Sequence, residues 1–290
     1  MKYPASELVL NKNGQVYHLG LSPENIAETV ILVGDQDRVA LVSAFFDTIE
    51  HHSQHREFAC HTGIYNNKRI SVLSTGIGTD NVDIAINELD ALVNIDLPNR
   101  ENKQSFTSLD IVRIGTCGIL QPDIPVHSYI LSTHAYGLDN VAHFYPIEFS
   151  EEEKAIASAL TAHLRLPATI QPYCSEASPA LVDLLRSEKT HAGITVTSSG
   201  FYAPQGRSLR LGLRTADINE RLTDFQSDGR KVMNFEMESS ALFALGKALG
   251  HQCATICLGV ANRPRMQFSK GYEEPMNELI RFVLDRLSKK

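Results

Sequence analysis

The 290-residue chain reads as an α/β layered fold with a largely parallel sheet. Apolar, β-rich runs alternate with stripes at helical spacing, a pattern that puts helices on the faces of a parallel sheet. No internal repeat or low-complexity linker divides the chain, so one domain over residues 1–290 is expected. Several β-like runs end directly in small or charged residues, and ligands of such folds bind outside the carboxyl ends of the strands.

The elements follow in order. Residues 30–33 form a strand ending at Gly34, and 37–46 a helix. Residues 69–74 form a strand, and the Asn66-Asn67 turn before it predicts a hairpin with 60–65. Val82, Ala85, Ile86, Leu89, Leu92 and Val93 make a helical stripe. Residues 96–107, polar and with a proline, read as a surface insertion. Strands follow at 109–114 and 128–132, then helices at 151–164 and 177–187 with a strand near 169–173 between them. A strand at 194–197, helices at 216–226 and 238–249, a strand at 253–260 and a helix at 273–288 complete the chain.

Bulk properties exclude several classes. A net charge of -7 with no Lys/Arg-rich run argues against a nucleic-acid surface. The five cysteines are an odd number without CxxC spacing, against both a disulfide framework and a zinc knuckle. No apolar run is long enough to span a bilayer, and the first residues show no signal-peptide pattern. A cytoplasmic location is therefore expected.

The strand ends carry the candidate chemistry. Residues 31–33 run into Gly34-Asp35-Gln36-Asp37-Arg38. Glycine admits a ligand close to the backbone, and the following helix offers free N–H groups to an anion. Alone, this is an ordinary strand–turn–helix corner. Residues 71–75 run into Gly76-Ile77-Gly78, which hints at a dinucleotide turn, but Asn81 stands where the third glycine of that fingerprint belongs. Arg113 lies inside an apolar strand, with Thr116 just beyond, and a buried guanidinium needs a partner: a carboxylate or an anionic ligand. Phe201-Tyr202-Ala203-Pro204-Gln205-Gly206-Arg207 offers an aromatic face, an amide and a guanidinium, a set that stacks on a flat ring and bonds its edges. Its plainer reading is a polar surface loop. Met233-Asn234-Phe235-Glu236-Met237-Glu238-Ser239 puts two carboxylates at a strand end or helix entry. Such acceptors suit a hydroxyl-rich ligand such as a ribose, although alone they read as a helix entry with a solvated face.

With HLGL at 18–21, HREF at 55–58 and VANR at 260–263, these segments resemble the nucleoside phosphorylase family, in its uridine-cleaving branch. The blocks GDQDR, STGIG, RIGTCG, FYAPQGR and MNFEMES stand in family order, and the resemblance covers nearly the whole chain. It implies a three-layer α/β/α phosphorylase/hydrolase-like fold with a mixed, largely parallel central sheet, in a single nucleoside phosphorylase domain. The implied reaction is reversible phosphorolysis of uridine, extending to deoxyuridine or thymidine, to uracil and ribose 1-phosphate, in pyrimidine salvage. It assigns phosphate to Gly34, Arg38, Arg113 and Thr116, and to Arg56 of a neighbouring subunit. It assigns ribose to Met237 and Glu238, with His18 reaching across from the neighbour. The base falls to Phe201, Gln205 and Arg207. Catalysis would rest on Arg207, Gln205 and Arg113, with phosphate as co-substrate and no metal or cofactor. The shared site implies a homodimer at least, with a hexamer as the larger alternative, and no nucleic-acid or membrane partner.

Some positions depart from the family pattern. Gln36 replaces proline in GDPDR, and Cys117 replaces a small hydroxylated residue. Thr79-Asp80-Asn81 replaces a Gly-Pro-Ser type sequence beside which some members hold a potassium ion, which leaves such an ion at Glu57 open. Purine-specific relatives carry Ser-Asp after the last strand, whereas Ala261-Asn262 stands here. The competing readings are a purine nucleoside phosphorylase or nucleosidase of the same fold, a non-catalytic nucleoside-binding module, and a dehydrogenase suggested by the GxG.

Overall fold

The computed structural model describes residues 2–290. Strand β1 (Thr29–Val33) is wholly buried and leads through Asp35, which caps the helix, into α1 (Gln36–Ser43). Strands β2 (Thr48–His55), β3 (Phe58–Tyr65) and β4 (Lys68–Ser74) form an antiparallel meander. The β3–β4 turn is the expected Asn66-Asn67, both at positive φ (46° and 62°), the geometry whose twist matches the flanking strands. Helix α2 (Thr79–Asn94) then runs to the short hairpin β5 (Ile95–Asp96) and β6 (Glu101–Asn102).

That hairpin opens the segment 96–107. Most of the segment is exposed, but it ties down the N-terminal residues: Arg100 donates to the carbonyls of Tyr3, Pro4 and Leu8. Lys103 Nζ reaches the Leu92 and Val93 carbonyls at the end of α2 (3.2 and 2.9 Å).

The second half adds β7 (Asp110–Ile119), β8 (Tyr129–Gly137), α3 (Glu151–Leu164), β9 (Tyr173–Glu176), α4 (Pro179–Leu185) and β10 (Thr190–Thr197). It ends with α5 (Ile218–Asp224), β11 (Gln226–Ser227), β12 (Arg230–Glu236), α6 (Ser239–Ala248), β13 (Gln252–Asn262), β14 (Gln267–Phe268) and α7 (Glu273–Leu287).

Twelve strands join in one mixed sheet, in which β1 pairs in parallel with β4 and β7, and β13 with β7. The sheet also closes on itself. β7 pairs with β13, β13 with β8, β8 with β10, β10 with β12, and β12 returns to β7 at Phe235–Gly118 and Asn234–Ile119. The α/β class and the mixed sheet thus stand as read from the sequence, with this ring as an added feature. Among the described residues no helix is long and apolar enough to cross a membrane.

Three differences have physical causes. The strand expected near 169–173 starts at Tyr173, because Pro172 has no N–H for a ladder. β7 runs five residues past its expected end at 114, because its glycine-rich second half is still paired by both β12 and β13. β2 has no apolar alternation to reveal it: it is the sheet's edge, mostly exposed, and reads TIEHHSQH.

Histidines concentrate along that edge. Burial, and then the neighbouring His52, lower the pKa of His51 and His61 below the ordinary 6.5. The fold favours their neutral forms, so the unfolded chain binds more protons between the lowered values and 6.5. Stability contributed at neutral pH should therefore fall as pH drops through that window. The thermal midpoint is expected to decrease from pH 7 to pH 5.5, and His51→Gln should shrink the decrease.

Candidate functional site

Nine of the eleven expected site residues line one cavity of about 260 Å³ at the carboxyl ends of the strands: Gly34, Arg38, Arg113, Thr116, Phe201, Gln205, Arg207, Met237 and Glu238. They arrive on four different features. Gly34 and Arg38 come from the β1–α1 corner, where Asp35 accepts from the Arg38 backbone N–H (2.8 Å) and pairs with its guanidinium (2.9 Å). Asp35 thus both caps the helix and aims the arginine.

Arg113 sits in mid-strand, 5% exposed. Its guanidinium pairs with Glu238 and lies 3.8 Å from Glu236. Burial opposes its charge, but Glu238 and then Glu236 favour it, and its pKa ends above the ordinary value. Gly115, two residues on along β7, makes room: a Cβ there would collide with the guanidinium. Arg113 Nε is buried without a hydrogen-bond partner in the protein.

Glu236 ends β12 and acts as a cap. Its Oε2 accepts from the Glu238 and Ser239 backbone N–H groups (2.9 Å each), and its Oε1 from Thr197 Oγ1 (2.5 Å). Thr197 Oγ1 in turn accepts from the Ser240 N–H (3.0 Å), which ties the end of β10 to the start of α6. Burial raises the Glu236 carboxyl; Arg113 lowers it and Glu238 raises it again. Glu236 therefore orders the wall that presents Glu238.

At the far end, Arg207 stacks 3.7 Å from the Phe201 ring centroid and donates to the Phe201 carbonyl (2.7 Å) and to Gln205 Oε1 (2.6 Å). Gln205 is 3% exposed. Burial, and then the neighbouring Arg263, lower Arg207 to about 10. Arg263, which the sequence reading quoted only within VANR, packs by its aliphatic stem over Gly118 and donates to the Gly206 carbonyl (3.3 Å). Asn262 is turned away: its amide donates to the Gln121 and Ile124 carbonyls (3.0 and 2.8 Å) and its oxygen accepts from Arg265 N–H (3.0 Å).

His18 and Arg56 do not line this cavity. They lie beside each other around the β2–β3 hairpin tip, whose Arg56 carbonyl accepts from Gln36 at the start of α1. Arg56 is at the tip of the β2–β3 hairpin at φ 57°, with its guanidinium 5.5 Å from the Tyr17 ring centroid. His55 Nδ1 donates to the His18 carbonyl (2.8 Å), and His18 Nδ1 lies 2.7 Å from Glu88.

The sequence reading missed much of the apolar wall: Ile77, Phe235, Val260, Ala261 and Phe268. Phe268 had no signal, because β14 is only two residues long; it pairs with Ala261–Asn262 and folds the stretch after VANR back over the cavity. The GxG turn holds no dinucleotide feature: the Gly78 amide ahead of α2, where a pyrophosphate would bind, meets Glu238 instead.

Residues 28–284 match the sequence profile of the phosphorylase superfamily. The chain belongs to that superfamily. It is 30% identical over 275 residues to the uridine phosphorylase of Thermococcus kodakarensis, covering 94% of this chain and 87% of that protein. It is also 30% identical to the uridine phosphorylase of Escherichia coli K12, over 87% of this chain and 88% of that one. The structure superposes with a TM-score of 0.89 on a Trypanosoma brucei nucleoside phosphorylase described as showing uridine phosphorylase activity, at 29% identity over 98% of this chain and 100% of that one.

Within this superfamily member the Arg113 pair can be tested by itself. Arg113→Met leaves two carboxylates buried without their cation and should destabilise the protein by roughly 3–5 kcal/mol, read by urea denaturation.

Proposed function

We propose that the enzyme cleaves uridine reversibly with inorganic phosphate, giving uracil and ribose 1-phosphate. The observation that carries this reading is the division of one cavity into three chemistries. Gly34, Arg38, Arg113 and Thr116 make a cationic end, Met237 and Glu238 a carboxylate wall, and Phe201, Gln205 and Arg207 an aromatic-floored clamp. The matching uridine phosphorylases support it.

The chemistry requires no protein nucleophile and no cofactor, because phosphate itself attacks C1′ of the sugar. The protein holds the two reactants in line, which removes much of the entropic barrier. Arg38 and Arg113 grip the phosphate through their guanidinium groups, both of which line the cationic end. Glu238 accepts from the ribose hydroxyls. As the glycosidic bond breaks, electrons pass into the uracil ring and negative charge grows on its oxygens. Arg207 is the fixed donor for that charge. Gln205, whose oxygen already accepts from Arg207, has amide hydrogens left for the base. A purine would need an acid to protonate the leaving ring; the side chain at the corresponding position, Asn262, is neutral and bonded elsewhere.

His18 and Arg56 fit this scheme as a pair lent to a second subunit. Both lie outside their own chain's cavity and beside each other on one surface. The functional unit is then at least a dimer with shared sites.

A panel of uridine, 2′-deoxyuridine, thymidine and inosine, with and without phosphate, tests the assignment. Uridine should be consumed only with phosphate present; release of base without phosphate, or a preference for inosine, would overturn it. Arg207→Ala should lower uridine turnover by about 100-fold or more while leaving the KM for phosphate within a few-fold, since one such donor is worth roughly 2.7–4 kcal/mol of barrier. Arg56→Ala and Arg207→Ala subunits, each nearly inactive, should regain activity when exchanged into mixed oligomers. No regain after verified exchange would argue against a shared site.

A further inference from the structure

The Gly76-Ile77-Gly78 turn has no part in the reaction as described so far, yet it touches the group proposed to hold the sugar. The Gly78 N–H donates to Glu238 Oε1 (2.9 Å) from a position 160 residues earlier in the chain. Gly78 has φ 101° and ψ 163°, a conformation open in practice only to glycine. It immediately precedes the sixteen-residue α2, so the amide that meets the carboxylate belongs to the positive end of a long helix.

The other oxygen is held as well. Glu238 Oε2 takes the Arg113 guanidinium and the Met237 N–H (3.2 Å). A carboxylate offers roughly four acceptor sites. With three filled by Gly78, Arg113 and Met237, the head cannot swing, and its free acceptor direction is set by the protein. Glu238 lines the cavity while remaining 3% exposed, so the little surface it keeps is available to a ligand there.

We propose that the glycine turn is a positioning element for sugar recognition. The Gly78 amide fixes the direction of the one acceptor site that Glu238 keeps for the sugar, which takes the 2′-hydroxyl, and so sets the preference for ribose over 2′-deoxyribose. This rests on the reading that Glu238 holds the sugar. It also explains why the turn needs two glycines. A Cβ on Gly76 would collide with the Asn81 amide, and Gly78 must keep its positive φ for its N–H to point at Glu238.

The test is Gly78→Ala in the full-length enzyme. A Cβ there would come 2.8 Å from Asp80 Oδ1, the end of a flexible side chain, so space is available but the backbone conformation is not. The amide should rotate away from Glu238. Expected is a fall in kcat/KM for uridine of roughly ten- to 100-fold, the range for one hydrogen bond to a charged group. The fall for 2′-deoxyuridine should be much smaller, and the KM for phosphate should hold. Equal losses on both nucleosides would overturn the proposal, because a general distortion does not select the 2′-hydroxyl. Glu238→Gln separates the two levels. If it leaves the uridine/2′-deoxyuridine ratio unchanged, the assignment of Glu238 itself falls. If it alters the ratio and a folded Gly78→Ala does not, only the role of the turn falls. Should Gly78→Ala not fold, hydrogen exchange in the peptide spanning residues 74–81 decides. Glu238→Ala should speed exchange at the Gly78 amide, and unchanged protection would refute the contact.

Discussion

The cavity depends on one buried cation. Arg113 lies in the middle of β7, where removing a guanidinium from water costs several kcal/mol unless carboxylates and hydrogen bonds replace the solvent. Glu238 and Glu236 supply the charge, and both come from the far end of the chain, where β12 passes into α6. Each carboxylate then needs partners of its own. Glu236 finds two backbone amides and Thr197, and Glu238 finds Gly78 and Met237. A single arginine thereby binds together the middle of β7, the ends of β10 and β12 and the starts of α2 and α6.

Closure of the sheet makes that convergence possible. An open sheet would leave β12 and β7 apart, whereas here Phe235 pairs with Gly118 and carries Glu236 to the guanidinium. The glycines of the RIGTCG block have the same logic: Gly115 yields space to Arg113, and Gly118 to the stem of Arg263. Ring and ion pair support each other, and the cavity is the gap left where strands end around them. The two ends of that gap differ in burial for the same reason. The carboxylate wall is held by buried hydrogen bonds, while Phe201, on a loop, and Phe268, on the two-residue β14, are 48% and 69% accessible.

Most secondary structure was legible because it repeats. The α2 stripe and the Asn66-Asn67 turn each express a local preference that the fold leaves intact. β2 was not legible, since an exposed edge strand needs no apolar face. At the site, Arg113 left two readings open, a buried ion pair or a ligand contact. The structure shows the pair and the cavity together, because one guanidinium reaches both. Phe268 carried no signal, since an apolar residue in a two-residue strand acquires meaning only from what it faces.

The sequence by itself determined the fold class and the kinds of groups at the site. Periodicity, glycine placement and charge inside apolar runs are properties of short stretches, and short stretches can be read one at a time. Only the tertiary structure decided which groups meet. It brought Gly34, Arg113, Gln205 and Glu238 to one cavity and left His18 and Arg56 side by side outside its lining. It also turned the glycine pair after β4 toward Glu238. These outcomes follow from the closure of β7 onto β12 and from the partners that a buried charge demands, and both join residues more than a hundred positions apart.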